Sequence, residues 1–484
     1  MSIKADAPTT NDWGARIEEL RLTWGVPLAI VCMIVVWLAP NPVALSLVGK
    51  KALILFSGIF ALYLTEAMPL AITSLAVVPL AVLLGVVNLK GALEGFASSS
   101  VYLLVGAFIL ATAMVKTKLA ERITYVILSK IGSSTRNITL GIVLVNICLA
   151  FLVPSATART AIMLPVCLGI IDLFQVQGRS NFGVALLLTL AFTNATISAG
   201  ILTSTVPNPV TVDFIIKSGG PAISYTKWLI YGLPPAFLMT LFTWWYVFRT
   251  YKPEHPEIPG GTEYIQKRLQ EAGPMSAEEK RTLAVFIGVI VFWMTGEWTK
   301  IDVLVTCLVG VVMLFLPRFG VLKWSDAQKG VSWQIVLVAG GGIAMGDILM
   351  KTGAAKWLAV TIFSALGLHS FSVLLLLIVV MFVVQYLHIF FVGTTAMATA
   401  LLPIVLALAV EANIPPVVLA LPAGMIIGGY PVLMFYSTLP NILVYGTGKL
   451  RMEDYPRVGI VISAMACLVY ALCAATYWRW LGLF

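Results

Sequence analysis

Charge is scarce in this chain. Of 484 residues only 11% are Asp, Glu, Lys or Arg, 60% are hydrophobic, and the mean hydropathy is +0.97. Soluble domains carry about 25% charged residues, so this composition excludes a soluble globular protein and points to a polytopic membrane protein. Histidine is scarcer still. His255, His369 and His388 lie far apart in sequence, which argues against a histidine metal centre. Cys32, Cys148, Cys167, Cys307, Cys467 and Cys473 are scattered through apolar segments with no metal-ligand spacing, so they read as small core residues. Walker, Rossmann and nucleophile-elbow patterns are missing. With them go a nucleotide-driven pump and a membrane enzyme with a nucleophile or acid–base constellation. Met1 to Arg21 is polar and the first apolar run, 26–39, lacks a small-x-small exit, so no cleavable signal is expected. The stretch 12–24 reads either as an amphipathic surface helix or as a solvated tail. The net charge of +9 needs no nucleic acid, because Lys and Arg gather in cytoplasmic loops and set membrane orientation.

What the chain has is long apolar segments and a few interruptions in them. The central one is Pro154-Ser155-Ala156-Thr157-Ala158-Arg159-Thr160, with apolar arms at 138–153 and 161–174. Each arm is shorter than the roughly 20 residues that cross a bilayer. The pattern predicts a re-entrant helical hairpin whose tip lines a cavity, because irregular backbone at membrane depth survives only where protein or water satisfies it. Broken helices of this kind are where transporters build solute sites. The one long polar stretch, 251–281, carries Pro253, Pro256, Pro259, Gly260, Gly261 and a charged helical piece at 264–270. Its Lys252, Lys267, Arg268, Lys280 and Arg281 mark a cytoplasmic linker between two halves.

The halves repeat. Met114-Val115-Lys116-Thr117 answers Leu349-Met350-Lys351-Thr352. The hairpin ending at Pro165 answers Gly393-Thr394-Thr395-Ala396, which ends at Pro403. Ser204-Thr205-Val206-Pro207-Asn208 answers Ser437-Thr438-Leu439-Pro440-Asn441. The offsets are 351 − 116 = 235, 403 − 165 = 238 and 441 − 208 = 233. The expected organisation is a tail and first helix over 1–50, then a first repeat over 51–250 with a hairpin at 138–174 and a broken helix at 182–216. After the linker comes a second repeat over 282–484, with a hairpin at 371–411, a broken helix at 416–448 and a C-terminal helix.

At these residues the chain resembles the divalent anion:sodium symporter family. The resemblance extends to Thr65-Glu66-Ala67-Met68-Pro69-Leu70 and to Gly340-Gly341-Gly342-Ile343-Ala344 before the Lys-Thr element. It implies an all-α inverted-repeat, elevator-type transporter with two re-entrant hairpins and two unwound helices. It also implies a homodimer in the cell membrane, moving a di- or tricarboxylate, sulfate or a sulfonate. Family tips read Ser-Asn-Thr, and both asparagines touch substrate and sodium. Here the first tip is Ser155-Ala156-Thr157 and the second Gly393-Thr394-Thr395, while Val206 and Leu439 replace the first proline of each family Thr-Pro-Pro-Asn.

An anion at mid-membrane needs hydrogen-bond donors. The substrate candidates are therefore Ser155, Ala156, Thr157, Thr205, Val206 and Pro207 in the first half. Gly393, Thr394, Thr395, Thr438 and Pro440 are their counterparts in the second. The bland alternative for each hydroxyl is a bond to its own helix backbone. Arg159 either holds an acidic substrate or snorkels to the interface; His388 either carries a proton or makes one helix–helix hydrogen bond. A sodium cage would draw on Ser155, Ser204, Thr394 and Ser437, but the asparagine oxygens are gone. Glu66, Asp172, Asp213, Asp302 and Asp347 sit near segment ends and read as interface anchors or helix contacts, none an obvious cage ligand. The expectation is a secondary transporter or exchanger of a small anion, with no enzyme activity, no metal centre, no nucleic acid and weak or absent sodium coupling. The rival reading is an anion channel or substrate-sensing receptor on the same scaffold.

Overall fold

The chain is helical because its apolar runs are started and stopped by local chemistry. Ser46, Ser98, Ser134, Ser155, Ser180, Ser224, Ser276 and Ser372 each sit before a helix and accept a hydrogen bond from its first-turn N–H groups. In the computed structural model, which describes residues 13–42, 44–174 and 179–483, these segments become helices with no strand among the described residues. Ten of the helices are long and apolar enough to cross a membrane, and the protein is a multi-pass membrane protein.

The first half runs α1 (Trp13–Leu38), α2 (Leu47–Thr65), α3 (Leu70–Leu83), α4 (Ser99–Lys116), α5 (Leu119–Ser129), α6 (Thr135–Leu152), α7 (Ala156–Leu173), α8 (Asn181–Ser198), α9 (Pro207–Lys217) and α10 (Tyr225–Thr250). After α11 (Gly261–Glu271), the second half runs α12 (Ala277–Met294), α13 (Val303–Met313), α14 (Trp333–Lys351), α15 (Ala354–Ala365), α16 (Val373–Tyr386), α17 (Thr394–Glu411), α18 (Pro416–Gly429), α19 (Leu439–Tyr445) and α20 (Asp454–Ala475). Short helical turns stand between some of these. The stretch 12–24 forms no separate surface helix over its described part; Trp13 onward continues into the first apolar run as α1.

From α2 to α10, each helix has its counterpart ten numbers later, and counterparts make equivalent contacts, some across the halves and some within them. α4 packs on α13 and α14 on α3; α8 on α10 and α18 on α20. Lys116 donates to Asp326 at 2.7 Å, holding that exposed carboxyl below its usual range, and Lys351 in turn pairs with Glu94. This exchange of equivalent contacts is the signature of a two-fold relation. It is repeated at the unwound segments. Asn208 Nδ2 bridges Ser198 O and Ile201 O at 2.8 and 2.9 Å, and Asn441 Nδ2 bridges Pro431 O and Met434 O at 2.7 and 3.1 Å. Each asparagine clasps carbonyls ten and seven residues back, closing the loop where a helix has stopped.

The stretch 251–281 is docked rather than free. Ile258 N donates to Ser133 O, and Arg122 reaches Ala272 O and Gly273 O at 2.8 Å each. α11 packs on α5.

Helices approach closely where α14 carries three consecutive glycines. A Cβ at Gly341 would lie 2.2 Å from Ser74 O of α3, and one at Gly342 would lie 2.2 Å from Thr399 Oγ1 of α17. The obstacle at Gly341 is backbone, so it cannot rotate away. Gly341→Ala is expected to lose about 1–3 kcal/mol or more through overpacking. A detergent melting temperature equal to that of the parent protein would show that α3 can retreat.

Candidate functional site

The first hairpin turns within three residues; in the second, a 3-10 turn over Leu387–Phe390 continues α16 before a three-residue break at 391–393. Ser155 caps α7 through Ala158 N at 3.2 Å, so the first break is Val153–Ser155. Thr157, Arg159 and Thr160 lie inside the following helix, not in an open loop over 154–160 as the sequence suggested, because Ala, Arg and Thr after a serine cap continue a helix readily. The arms α6 and α7 are 18 residues each. They are long and apolar enough to span, so shortness is not what marks them. Their tip is marked by where it goes.

Both tips and both unwound segments meet at one cavity of about 300 Å³. Ser155, Ala156 and Thr157 come from the first tip, and Gly393, Thr394 and Thr395 from the second. Thr205 and Val206 precede α9, and Thr438, Leu439 and Pro440 open α19. Ser204 also lines it. Four expected members do not. Pro207, Asn208's neighbour in α9, is buried behind the wall; Ser437 is buried with its hydroxyl unpartnered; Arg159 is fully buried one layer back. His388 is off the cavity as well. Its ring nitrogens meet Gln385 O at 2.9 Å and Ile427 O at 3.1 Å, so it ties α16 to α18 as an ordinary helix–helix contact.

The lining hydroxyls are available. Many buried threonines elsewhere bond back to their own helix, as Thr193 does to Thr189 O, Thr211 to Pro207 O and Thr399 to Thr395 O, although Thr73, Thr189, Thr243 and Thr282 do not. Among the described residues, the hydroxyls of Thr157, Thr205, Thr394, Thr395 and Thr438 have no such bond. They depart from the bland alternative at the positions that face the cavity. Backbone donors add to them. α17 begins at Gly393 with no side-chain cap, leaving the first N–H groups of an 18-residue helix turned to the cavity. α9 starts uncapped too, but Pro207 and Pro209 carry no N–H, and Asn208 N and Val210 N are bonded to Thr205 O and Val206 O, so it brings the positive end of its dipole and no free donor. Free N–H groups and the positive end of a helix dipole together favour an anion.

Among the described residues one charged side chain lines the cavity, Glu66, which the sequence reads as an interface anchor or a helix contact. Glu66 closes α2 in the left-handed region, at φ 48°, and so turns the chain towards the cavity. Arg21 of α1 pairs with it, Nη1 to Oε2 at 3.2 Å. No sequence spacing links residues 21 and 66; only the packing of α1 on α2 does. Gln334 at the start of α14 is another lining residue that no motif announced. Asn194 and Ser198 were better advertised. They stand one turn apart on α8, polar in an apolar run, and both bond Arg159.

Arg159 neither snorkels nor touches the cavity. Its Nε donates to Asn194 Oδ1 at 2.7 Å, Nη1 to Val153 O at 2.5 Å and Nη2 to Ser198 Oγ at 2.5 Å. Ser198 itself lines the cavity and accepts from Ser204 Oγ at 3.1 Å. The guanidinium is thus one hydroxyl behind the wall. Among the described residues no carboxylate lies within 4.0 Å of it.

Residues 20–484 match the family model described as the sodium:sulfate symporter transmembrane region. A membrane protein of Cupriavidus necator H16 is 33% identical over 483 residues, covering 96% of this chain and 94% of its own. The sodium-dependent dicarboxylate transporter SdcS of Staphylococcus saprophyticus is 29% identical, covering 93% and 90%. SdcS of Staphylococcus aureus is 26% identical, covering 85% and 82%. Among solved structures, the YdaH transporter of Alcanivorax borkumensis superposes over 96% of this chain and 98% of its own, with a TM-score of 0.51 at 12% identity, a likeness of fold. With the match running from the second helical turn of α1 to the end of α20 and beyond, the chain belongs to the sodium:sulfate symporter family, the divalent anion:sodium symporters, whose members are transporters rather than enzymes.

Proposed function

We propose that the protein is a secondary transporter of a small dianion, a dicarboxylate or sulfate, carried by an elevator movement of the hairpins and broken helices. The observation that carries the reading is the cavity itself: unpartnered hydroxyls from both repeats face uncapped helix starts, in a space of about 300 Å³. A dianion satisfies those donors on both sides at once, one charged end towards each tip. Neutral donors hold a charge firmly without trapping it, which release on the far side requires. The relatives named for sodium-dependent dicarboxylate transport support the substrate class.

The test is uptake into proteoliposomes of labelled succinate, citrate and sulfate, under a sodium gradient, a proton gradient, or internal unlabelled anion alone. Saturable uptake of one of these anions, with counterflow, is the expected result. Flux that never saturates and shows no counterflow would identify a channel. Tight binding without flux would identify a receptor.

A further inference from the structure

The two halves of the site differ in one respect that their symmetry makes visible. Applying the hairpin offset, 159 + 238 = 397, the counterpart of Arg159 is Met397. Applying the broken-helix offset, 194 + 233 = 427 and 198 + 233 = 431, the counterparts of Asn194 and Ser198 are Ile427 and Pro431. A polar triad around a cation in the first half is an apolar triad in the second. Met397 is fully buried, as Arg159 is.

The Arg159 environment is built for a cation and for no carboxylate. Three oxygens converge on the guanidinium: a backbone carbonyl from the hairpin turn, an amide oxygen and a hydroxyl from α8. Neutral oxygens from turn and helix are the donor type that an alkali ion requires, and here each accepts an N–H instead. A sodium ion therefore does not fit among these three oxygens: each is engaged by the guanidinium, and Ala156 brings no side-chain oxygen beside them. The position is also unfavourable for a permanent charge. Burying an unpaired ion costs several kcal/mol, and Arg159 lies in the first turn of α7, where the helix dipole is already positive. Glu66, the carboxylate on the cavity, is engaged with Arg21. The missing counter-charge is supplied when an anion enters the cavity in front of Ser198.

We propose that Arg159 is a resident cation that takes the place of a coupling ion at the first hairpin tip, so that anion binding at that tip needs no sodium. This rests on the transport reading above. In the second half a cation remains admissible beside the unwound segment, where Ser437 Oγ and Thr438 Oγ1 are buried without partners. Sodium stimulation is then absent or hyperbolic, never cooperative. Ser198 gives its own proton to Asn194 O at 2.6 Å, so Arg159 acts on the anion by its charge from behind Ser198 and is a positioning residue.

The experiment is a sodium titration of succinate and sulfate uptake by the reconstituted protein, with choline as the replacement ion. It is paired with thermal-shift titration of the same anions on detergent-purified variants. A sodium Hill coefficient of 1 or below, or no response, is expected. A coefficient approaching 2 overturns the proposal while leaving the transport reading intact; absence of uptake and of binding for every anion overturns the transport reading instead. Arg159→Met, the residue of the other half, is expected to lose about thirtyfold or more in anion affinity with sodium absent, and Arg159→Lys to keep most of it. Should Arg159→Met fail to fold, the sodium titration of the parent protein and of Arg159→Lys still decides. Adding Ala156→Asn to Arg159→Met should return anion binding in a sodium-dependent form. Parent-like affinity in a folded Arg159→Met also overturns the proposal.

Discussion

Thr157→Ala and Thr395→Ala are each expected to weaken anion uptake about tenfold, and together about a hundredfold, with the protein still folded. The two hydroxyls stand in equivalent positions of the two hairpins, in the first turns of α7 and α17, and both line the cavity without a partner in the described structure. A hydrogen bond to a charged group is worth roughly 1.5–3 kcal/mol, so each loss is tenfold or more. The effects add because the two tips meet different ends of the anion. Little stability is at stake, since neither hydroxyl holds another part of the fold. Thr→Ser at either position should restore affinity, because serine keeps the donor and only a methyl group is lost. The measurement is the concentration dependence of uptake alongside a melting curve. Alanine variants with unchanged affinity would remove the threonines from the substrate site; alanine variants that melt early would recast them as structural.

Much of this arrangement was legible in the sequence because it is repeated. Hydropathy alone could not identify the second hairpin, where 371–392 is a long unbroken apolar run. The spacing to Pro403 and the recurrence of Ser-Thr-x-Pro-Asn did so, since two backbones with the same fold need the same breaks. Asn208 and Asn441 show why that motif is specific: the side-chain amide reaches back to two carbonyls that the broken helix leaves bare. What sequence spacing cannot carry is contact between unrelated segments. Glu66 reaches the cavity through an αL turn and is paired by Arg21 across 45 positions. Arg159 was conspicuous as a charge in an apolar segment, but its direction depends on α8 lying against α7. Nothing local distinguishes a guanidinium pointing at the cavity from one pointing behind it. The extent of the first break was misjudged for a different reason. Proline, serine and threonine suggest irregular backbone, yet Ser155 is used as a helix cap, and a cap begins a helix immediately.

Asn194→Asp separates stability from transport, and it should do so in opposite directions. Asn194 is the hub behind the first tip. Its Oδ1 accepts from Arg159 Nε at 2.7 Å, while Nδ2 donates to Ala156 O at 2.8 Å and to Thr160 Oγ1 at 2.7 Å. Aspartate at this position keeps the acceptor for Arg159 and turns it into a carboxylate, so the unpaired buried cation gains a counter-ion in a geometry already suited to it. It forfeits the donation to Ala156 O, worth about 1 kcal/mol; Thr160 can turn its own hydroxyl to donate instead. The ligand-free protein is therefore expected to melt at or above the temperature of the parent. Anion binding should suffer, because the positive charge behind Ser198 is cancelled before the anion arrives. One unit charge acting at roughly 8 Å through an effective dielectric of about 20 is worth about 2 kcal/mol, or about thirtyfold in affinity. A passive structural role for Arg159 gives a different pattern. If the guanidinium only braces the hairpin against α8, a stronger brace should leave affinity unchanged, and Asn194→Leu should damage folding and binding together. The decisive pairing is the melting temperature of the ligand-free protein with the anion dependence of its thermal shift. A variant as stable as the parent that binds succinate and sulfate as tightly would show that the charge of Arg159 is not felt in the cavity.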